Sequence, residues 1–197
     1  ADADAFSSLN IDRRAALWAV RRLPNDETLP LFVAAQTSEL AEEPRTILPE
    51  MAASEHVIAD YETTRLSLKG HPVEYLRERL AAEGVSTCKA VQQATQSRRM
   101  KVAGVVTVRQ RPGSAKGVVF LTIEDETGIA NIVVWPKIMK TFRREVMGAR
   151  LILIDGQVQR SPEGVVHLVA SKLEDRSAAL IEMSGREPQR LIAPSQT

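Results

Sequence analysis

The sequence predicts an α+β protein in which a small N-terminal helical region precedes a five-stranded β-barrel with one helix between strands 3 and 4. Two observations support this prediction. Before Arg98 the apolar residues recur at helical spacing between proline-containing loops, whereas after it β-branched residues alternate with polar ones. The charge changes at the same point, since residues 1–97 carry 10 Lys or Arg and 15 Asp or Glu, and residues 98–176 carry 14 and 8. An excess of basic residues on one module is expected of a protein that binds phosphate backbones. The alternative is a solvated surface whose charge has no bearing on binding.

The acidic half is predicted to contain short helices joined by loops. The helices are Leu9–Leu23, 51–69 and 73–83. Asn10 or Asp12 can cap the first helix, and Gly84 ends the third. Four prolines in residues 24–50 interrupt any long periodicity, so this stretch is predicted to be a loop.

The basic half is predicted to form five strands and one helix. The strands are Val102–Val108, Val118–Glu124, Ile129–Trp135, Leu151–Val158 and Val165–Leu173, and the helix runs from Pro136 to about Met147. Gly104 would let the first strand bend, and Gly128 suits the positive φ of a tight turn. The order β-β-β-α-β-β is that of the OB-fold. An SH3-like barrel or an open α+β sheet is the alternative.

The remaining residues exclude several enzyme classes. The sequence contains no P-loop, no GxGxxG and no nucleophile elbow. One cysteine and three scattered histidines exclude an internal disulfide framework and a zinc finger. Cys88 is expected to be a structural thiol, and the run Glu124–Glu126 to be a solvated turn rather than a metal site. These residues therefore indicate a binding module and not a complete enzyme.

Composition also favours a cytoplasmic location. No basic and apolar leader opens the chain, and no apolar stretch reaches membrane length without crossing Lys or Arg. A single cysteine suits a reducing compartment.

A set of residues in the basic half is predicted to contact nucleic acid. OB-folds bind single strands across strands 2 and 3, flanked by the loops that join strands 1–2 and 4–5. Phe120 and Trp135 could stack on bases, although either ring could instead pack in the barrel or against the helix. Cations in the two loops could reach phosphates. The complete set is Arg109, Arg111, Lys116, Phe120, Thr122, Asn131, Trp135, Arg160 and His167.

Three segments resemble the C-terminal region of the bacterial C-family DNA polymerases. Met100–Pro136 is similar to their OB-fold, with an AG-bearing first strand, R-x-R-P-x-x-x-x-G, F-x-T-[IL]-E-D-E-T-G and a third strand that ends in W-P. Asp60–Leu80 resembles the segment just before that domain through L-x-L-x-x-H-P, and Ala3–Leu23 resembles the end of the preceding helix-hairpin-helix region. The R-Q-R-P-G-S-A-K-G loop is most similar to the damage-inducible, error-prone branch.

The resemblance implies an organisation and a function. The regions would be 1–23, the last helix of the helix-hairpin-helix region; 24–97, a loop-rich helical linker; 98–175, the OB-fold; and 176–197, a tail that is flexible or a docking strip. The chain would be a fragment of a translesion DNA polymerase that contacts the single-stranded template. Nucleotidyl transfer with Mg²⁺ and dNTP would belong to a palm domain, none of which is in this sequence.

One further peptide leaves a second function open. Thr28–Phe32 resembles the sliding-clamp peptide Q-L-x-L-F, with Thr in place of Gln. Leu29, Leu31 and Phe32 would be its anchors in a clamp groove. The alternative is that Leu31 and Phe32 pack under the helices. The chain could thus dock the polymerase on the sliding clamp or on other mutasome subunits. A free-standing RNA-binding OB-fold is disfavoured by the upstream polymerase-like segments.

Overall fold

A computed structural model describes residues 1–21, 48–161 and 164–185. The chain divides into two compact units, Ala1–Leu66 and Ser67–Thr197.

The first unit is helical, as predicted. It contains a 3₁₀ turn at Ser7–Leu9, helix α1 at Arg13–Arg21 and helix α2 at Ala53–Thr63. The two helices are joined through Arg13, a buried residue. Its guanidinium donates to the His56 carbonyl oxygen (3.1 Å) and to the Asp60 carboxylate.

Helix α1 begins later and α2 ends earlier than predicted, and residues 22 and 23 of the predicted first helix lie outside the described residues. Asn10 adopts the left-handed conformation (φ 55°), so α1 cannot begin before it. Asp12 caps the helix instead, and its carboxylate accepts from the Arg14 N–H at 3.3 Å. Helix α2 ends at Thr63, and the positive φ of Arg65 (63°) prevents the predicted continuation to residue 69.

The second unit begins with helices that precede the barrel. They are a 3₁₀ helix at Pro72–Leu76, helix α3 at Arg77–Ala82 and helix α4 at Cys88–Gln93. Gly84 follows α3 with a φ of 74°, as its predicted role requires. Helix α4 was not predicted. The Thr87 hydroxyl caps it by accepting from the Ala90 N–H (3.2 Å), and three apolar residues of this region, Cys88, Val91 and Ala94, belong to the barrel core.

Five strands close into a barrel, which confirms the predicted OB-fold. The strands are β1 Arg99–Gln110, β2 Val119–Asp125, β3 Gly128–Val134, β4 Leu151–Arg160 and β5 Val166–Asp175. Their order around the barrel is β1-β2-β3-β5-β4. All neighbours are antiparallel except β3 and β5, which pair in parallel.

The helical connection between β3 and β4 consists of two helices rather than one. Helix α5 spans Pro136–Thr141 and α6 spans Arg143–Gly148, separated by the non-helical conformation of Phe142. A further helix, α7 at Ser177–Met183, follows β5 within the region predicted as a tail. Across the described part of the chain, every helix is too short or too polar to cross a lipid bilayer.

The core occupies the barrel interior, and its residues follow the predicted alternation. Val119, Leu121 and Ile123 of β2 are buried, whereas Phe120 between them is exposed. The same alternation buries three residues of β3, which are Ala130, Ile132 and Val134. Strand periodicity therefore assigns each side chain to the interior or to the outer surface.

Gly104 is required by a close approach between strands. A Cβ atom at this position would lie 2.7 Å from the carbonyl oxygen of Glu124 on β2. Real Cβ atoms do not come this near to a backbone oxygen, so any larger residue must displace one of the two strands.

The centre of the acidic turn is buried, and the prediction of a solvated turn is wrong for Asp125. This residue is 2% exposed. Its carboxylate accepts from the Arg77 guanidinium (2.9 Å), from the Cys88 N–H (2.8 Å) and from the N–H and hydroxyl of Thr127 (2.8 and 2.6 Å). Arg77 also pairs with Glu126. The donors Arg77 and Cys88 lie far away in the sequence, so the local pattern of the turn could not reveal them.

Candidate nucleic-acid interface

The outer surface of the barrel carries two adjacent rows of side chains that cross all five strands. Strand pairing aligns the first row, which consists of Gln110, Phe120, Val133, Val169 and Gln157. The second row consists of Val108, Thr122, Asn131, His167 and Gln159. We call these ten residues the outer face. None of them is acidic, so the surface does not repel a phosphate backbone.

Both aromatic candidates are exposed. Phe120, the second residue of β2, is 36% exposed, and Trp135, directly after β3, is 51% exposed. Trp135 follows Val133 by two residues, which is the spacing that keeps side chains on one side of a strand. The barrel interior holds neither ring.

Two of the predicted cations project from the loop between β1 and β2. Arg111 and Lys116 are both exposed, and in the described part of the chain neither forms an ion pair. The loop lies beside the start of α5, because a Cβ on Gly117 would be 3.7 Å from both the Arg111 Nη2 and the Pro136 Cγ. The Arg111 guanidinium therefore lies close to Pro136, the residue that follows Trp135.

Arg109 lies on the other side of β1. A register shift between Val106 and Val108 leaves Arg109 paired with the buried Leu121, not with Phe120. Its guanidinium donates to the carbonyl oxygens of Val146 (2.9 Å) and Ala149 at the end of α6. Burial lowers the pKa of Arg109. This residue therefore positions α6, and its Nε and Nη2 donate to the protein itself.

Arg160 has a comparable internal role at the end of α4. The guanidinium donates to the carbonyl oxygens of Gln92 (2.9 Å) and Ala94 (3.0 Å). Such carbonyls lack partners within a helix and attract cations. The contact holds α4 against the β4–β5 end of the barrel.

The smaller polar candidates lie together in the second row. Thr122 and Asn131 pair across β2 and β3, and Asn131 pairs with His167 across β3 and β5. The Nδ1 of His167 is buried and has no hydrogen-bond partner among the described residues. The row offers amide and imidazole groups at the centre of the outer face.

Six of the ten residues of the outer face were not among the predicted contacts. They are Val108, Gln110, Val133, Gln157, Gln159 and Val169. A signal was present for two of them, because Gln157 and Gln159 alternate with the buried Val158. Which residues of other strands lie beside them depends on strand pairing across the barrel.

The described residues show no cluster of metal-ligating side chains. They contain no group of three or more His, Cys, Asp or Glu side chains that could hold a metal ion. Cys88 is buried, and burial raises the pKa of its thiol, in agreement with the expected structural role. The clamp-like peptide with Leu29, Leu31 and Phe32 lies outside the described residues.

Comparisons with known proteins agree with this architecture. Residues 100–176 match the model of the OB-fold nucleic acid binding domain family. The chain is 86% identical over 196 residues to an error-prone DNA polymerase of Brucella abortus, with 100% of this chain and 18% of the relative covered. It is 67% identical to an error-prone DNA polymerase of a Bradyrhizobium strain, with 93% and 16% covered. The chain thus spans less than a fifth of the length of these relatives.

Among solved structures, asparaginyl-tRNA synthetase from Pyrococcus horikoshii aligns with 47% of this chain and 22% of its own, at 24% identity and a TM-score of 0.41. The error-prone DNA polymerases are far more similar to this chain in sequence than this synthetase is. The chain is homologous to the C-terminal part of the proteins named error-prone DNA polymerase and carries an OB-fold nucleic acid binding domain there.

Proposed function

We propose that this chain binds single-stranded DNA on the outer face, as the template-holding part of an error-prone DNA polymerase. The observation that supports the proposal is the exposure of Phe120 and Trp135 on the side of the barrel that also carries the uncharged polar row. Exposed rings stack on bases without regard to sequence, and stacking requires bases that are not paired with a second strand.

The charges beside the outer face support the same function. Arg111 and Lys116 are free to contact phosphates, and the loop that carries them lies next to Trp135. Phosphate contacts give affinity and register, while the rings distinguish a single strand from a duplex. Because the relatives are named DNA polymerases, DNA is the strand that we propose.

Nucleotide transfer is a proposal for the whole protein that rests on the names of its relatives. Lesion bypass and a function in DNA repair remain predictions from the sequence resemblance. We assign no step of the transfer, which would use Mg²⁺ and dNTP, to the residues of this chain. Docking on a sliding clamp through Leu29–Phe32 remains a prediction of the sequence.

Titration of the 197-residue chain with labelled single-stranded and duplex DNA tests the proposal. We expect the single strand to bind more tightly, and log K to fall linearly with log salt. Arg111→Gln combined with Lys116→Gln should make the slope of log K against log salt shallower by about 1.4. Each phosphate contact contributes about 0.7 to this slope for a single strand. Lys172→Gln, on β5, is the matched control and should leave the slope unchanged. Equal binding of duplex and single strand would contradict the proposal.

Phe120→Ala tests the stacking. We expect about tenfold weaker binding of oligo-dT, because one base–ring stack contributes about 1–3 kcal/mol. The salt dependence should stay the same, since no charge is removed. Tyr75→Ala is the control, because Tyr75 is also an exposed aromatic residue (43%) but lies in the 3₁₀ helix before the barrel. If the two variants lose equal affinity, Phe120 has no special role.

A further inference from the structure

A cleft opens at the edge of the outer face, between α4 and the β3–β5 pair. Its volume is about 290 Å³, and we call it the α4 cleft. The lining residues are Val91, Gln92, Ile129, Ala130, Asn131, Arg160, Gly164 and Val166. Asn131 belongs both to the cleft and to the second row of the outer face, so the two surfaces are continuous.

The lining combines apolar surface with a few polar groups. Val91, Ile129, Ala130 and Val166 contribute the apolar part. Small-molecule sites in proteins share this composition, in which apolar walls exclude water and a few polar groups orient the ligand. The volume is at the lower end of the range of such sites, roughly 300–1,000 Å³, which favours a ligand of one or two rings.

The polar wall of the cleft is held in place before any ligand binds. Gln92 donates from its side-chain amide to the Ile129 carbonyl oxygen at 2.7 Å. Arg160 is anchored through Nη2 on the carbonyl oxygens of Gln92 and Ala94. A wall fixed in this way loses little conformational entropy on binding.

Hydrogen-bonding capacity remains on the same wall. The Arg160 Nη1 and the Asn131 side-chain amide have no hydrogen-bond partner in the part of the chain that the structure describes. The amide of Asn131 offers a donor and an acceptor together, which is the pattern that reads the edge of a base. None of the lining residues that the structure describes is acidic, so this part of the lining tolerates an adjacent phosphate.

We propose that the α4 cleft takes up one unstacked base of the bound strand and that Asn131 reads its edge. This inference rests on the proposed function, because the outer face must first hold the strand. The rings would stack on bases without selectivity, whereas the cleft would give this chain a preference for base identity. A base on a strand and a free nucleotide share this chemistry, so the test must separate them.

The test compares binding of oligo-dT, oligo-dA and oligo-dC to the 197-residue chain. Strands of about 12 nucleotides fall within the site size of one OB-fold. We expect about a tenfold difference in affinity between the best and the worst strand, since one paired amide discriminates bases at about that level. Asn131→Ala should reduce this ratio to within about twofold.

The matched control is Gln93→Ala. Gln93 is the exposed neighbour of Gln92 on α4 but does not line the cleft, so the ratio should persist in this variant. Asn131→Leu is a second variant that keeps the side-chain volume and removes the amide, and it should behave like Asn131→Ala. If the ratio of best to worst affinity is unchanged in both Asn131 variants, the proposal that the cleft reads a base is wrong. A ratio within about twofold in the wild-type chain would also contradict it.

The outcomes separate the two proposals. If no single strand binds even at low salt, the proposed function fails. If all three strands bind tightly and equally, only the cleft proposal fails. Free deoxynucleoside monophosphates, at the total nucleotide concentration of the strand, should leave the strand bound, because contacts on the outer face keep its bases near the cleft. Displacement of the strand under these conditions would assign the cleft to a free nucleotide and overturn the proposal.

Discussion

Asp125→Asn is expected to lower the free energy of unfolding by about 3 kcal/mol, the largest effect that we predict for a single substitution in this chain. The residue is buried, and its carboxylate accepts four hydrogen bonds from α3, α4 and its own turn. Asn has the same shape but replaces one acceptor oxygen with an N–H donor. At least one of the facing donors would then be buried without a partner, and Arg77 would lose its buried counter-charge.

Chemical denaturation followed by circular dichroism measures this loss. Glu126→Gln is the matched control, because Glu126 also pairs with Arg77 but its side chain is partly exposed (19%). We expect the control to lose about 1 kcal/mol, the usual contribution of a partly solvated hydrogen bond. Equal losses in the two variants would mean that the burial of Asp125 is not what stabilises the turn.

Gly104→Ala is expected to destabilise the barrel by about 2–3 kcal/mol. The new methyl group would lie 2.7 Å from the Glu124 carbonyl oxygen, and its other near neighbours, the nitrogen and carbonyl carbon of Glu124, are backbone atoms too. Backbone cannot move aside as the end of a side chain can, so β1 and β2 must separate. The separation would weaken the hydrogen bonds of the β1–β2 pair on both sides of the substitution.

Thermal and chemical denaturation of this variant can be compared with Gly148→Ala. Gly148 ends α6, and a Cβ there would meet no atom within 4 Å. Alanine also has the higher helix propensity, so the control should be as stable as the parent chain or slightly more so. If Gly104→Ala is equally well tolerated, the close approach is not what requires glycine at this position.

The two stability predictions concern the scaffold, and both affect the candidate interface. Glu124, the partner of Gly104, lies on β2 two residues after Thr122 of the outer face. Asp125 binds the N–H of Cys88 at the start of α4, the helix that lines the cleft. Binding measurements on destabilised variants therefore need temperatures at which the barrel is fully folded.

Much of the fold could be predicted because its signals are local. The alternation of Val119, Leu121 and Ile123 with polar or aromatic residues depends only on the period of a strand. Pro136 and Gly128 are likewise local signals, for a helix start and for a turn with positive φ. The exposure of Phe120 follows from the same alternation, so the aromatic residue of the outer face could be predicted from the sequence.

The arginines show why the sequence could not predict which side chains are available to a ligand. Arg109, Arg111 and Arg160 are chemically identical candidates in the sequence. The guanidinium of Arg109 binds carbonyl groups 37 and 40 residues away, and that of Arg160 binds carbonyl groups 66 and 68 residues away. Arg111 has no such partner among the described residues. Arg109 lies within β1, whereas Arg111 follows the end of this strand at Gln110.

The sequence by itself determined the order of strands and helices along the chain, the inward and outward sides of β2 and β3, and the family to which this chain is related. Those properties depend on residue period and on motifs that are contiguous in the chain. Only the tertiary structure decided which polar atoms are free for a ligand, because Asp125, Arg109 and Arg160 bond to helices, or to the ends of helices, that lie far away in the sequence. The α4 cleft also depends on the tertiary structure, since its walls come from a helix and strands that meet only when the barrel closes.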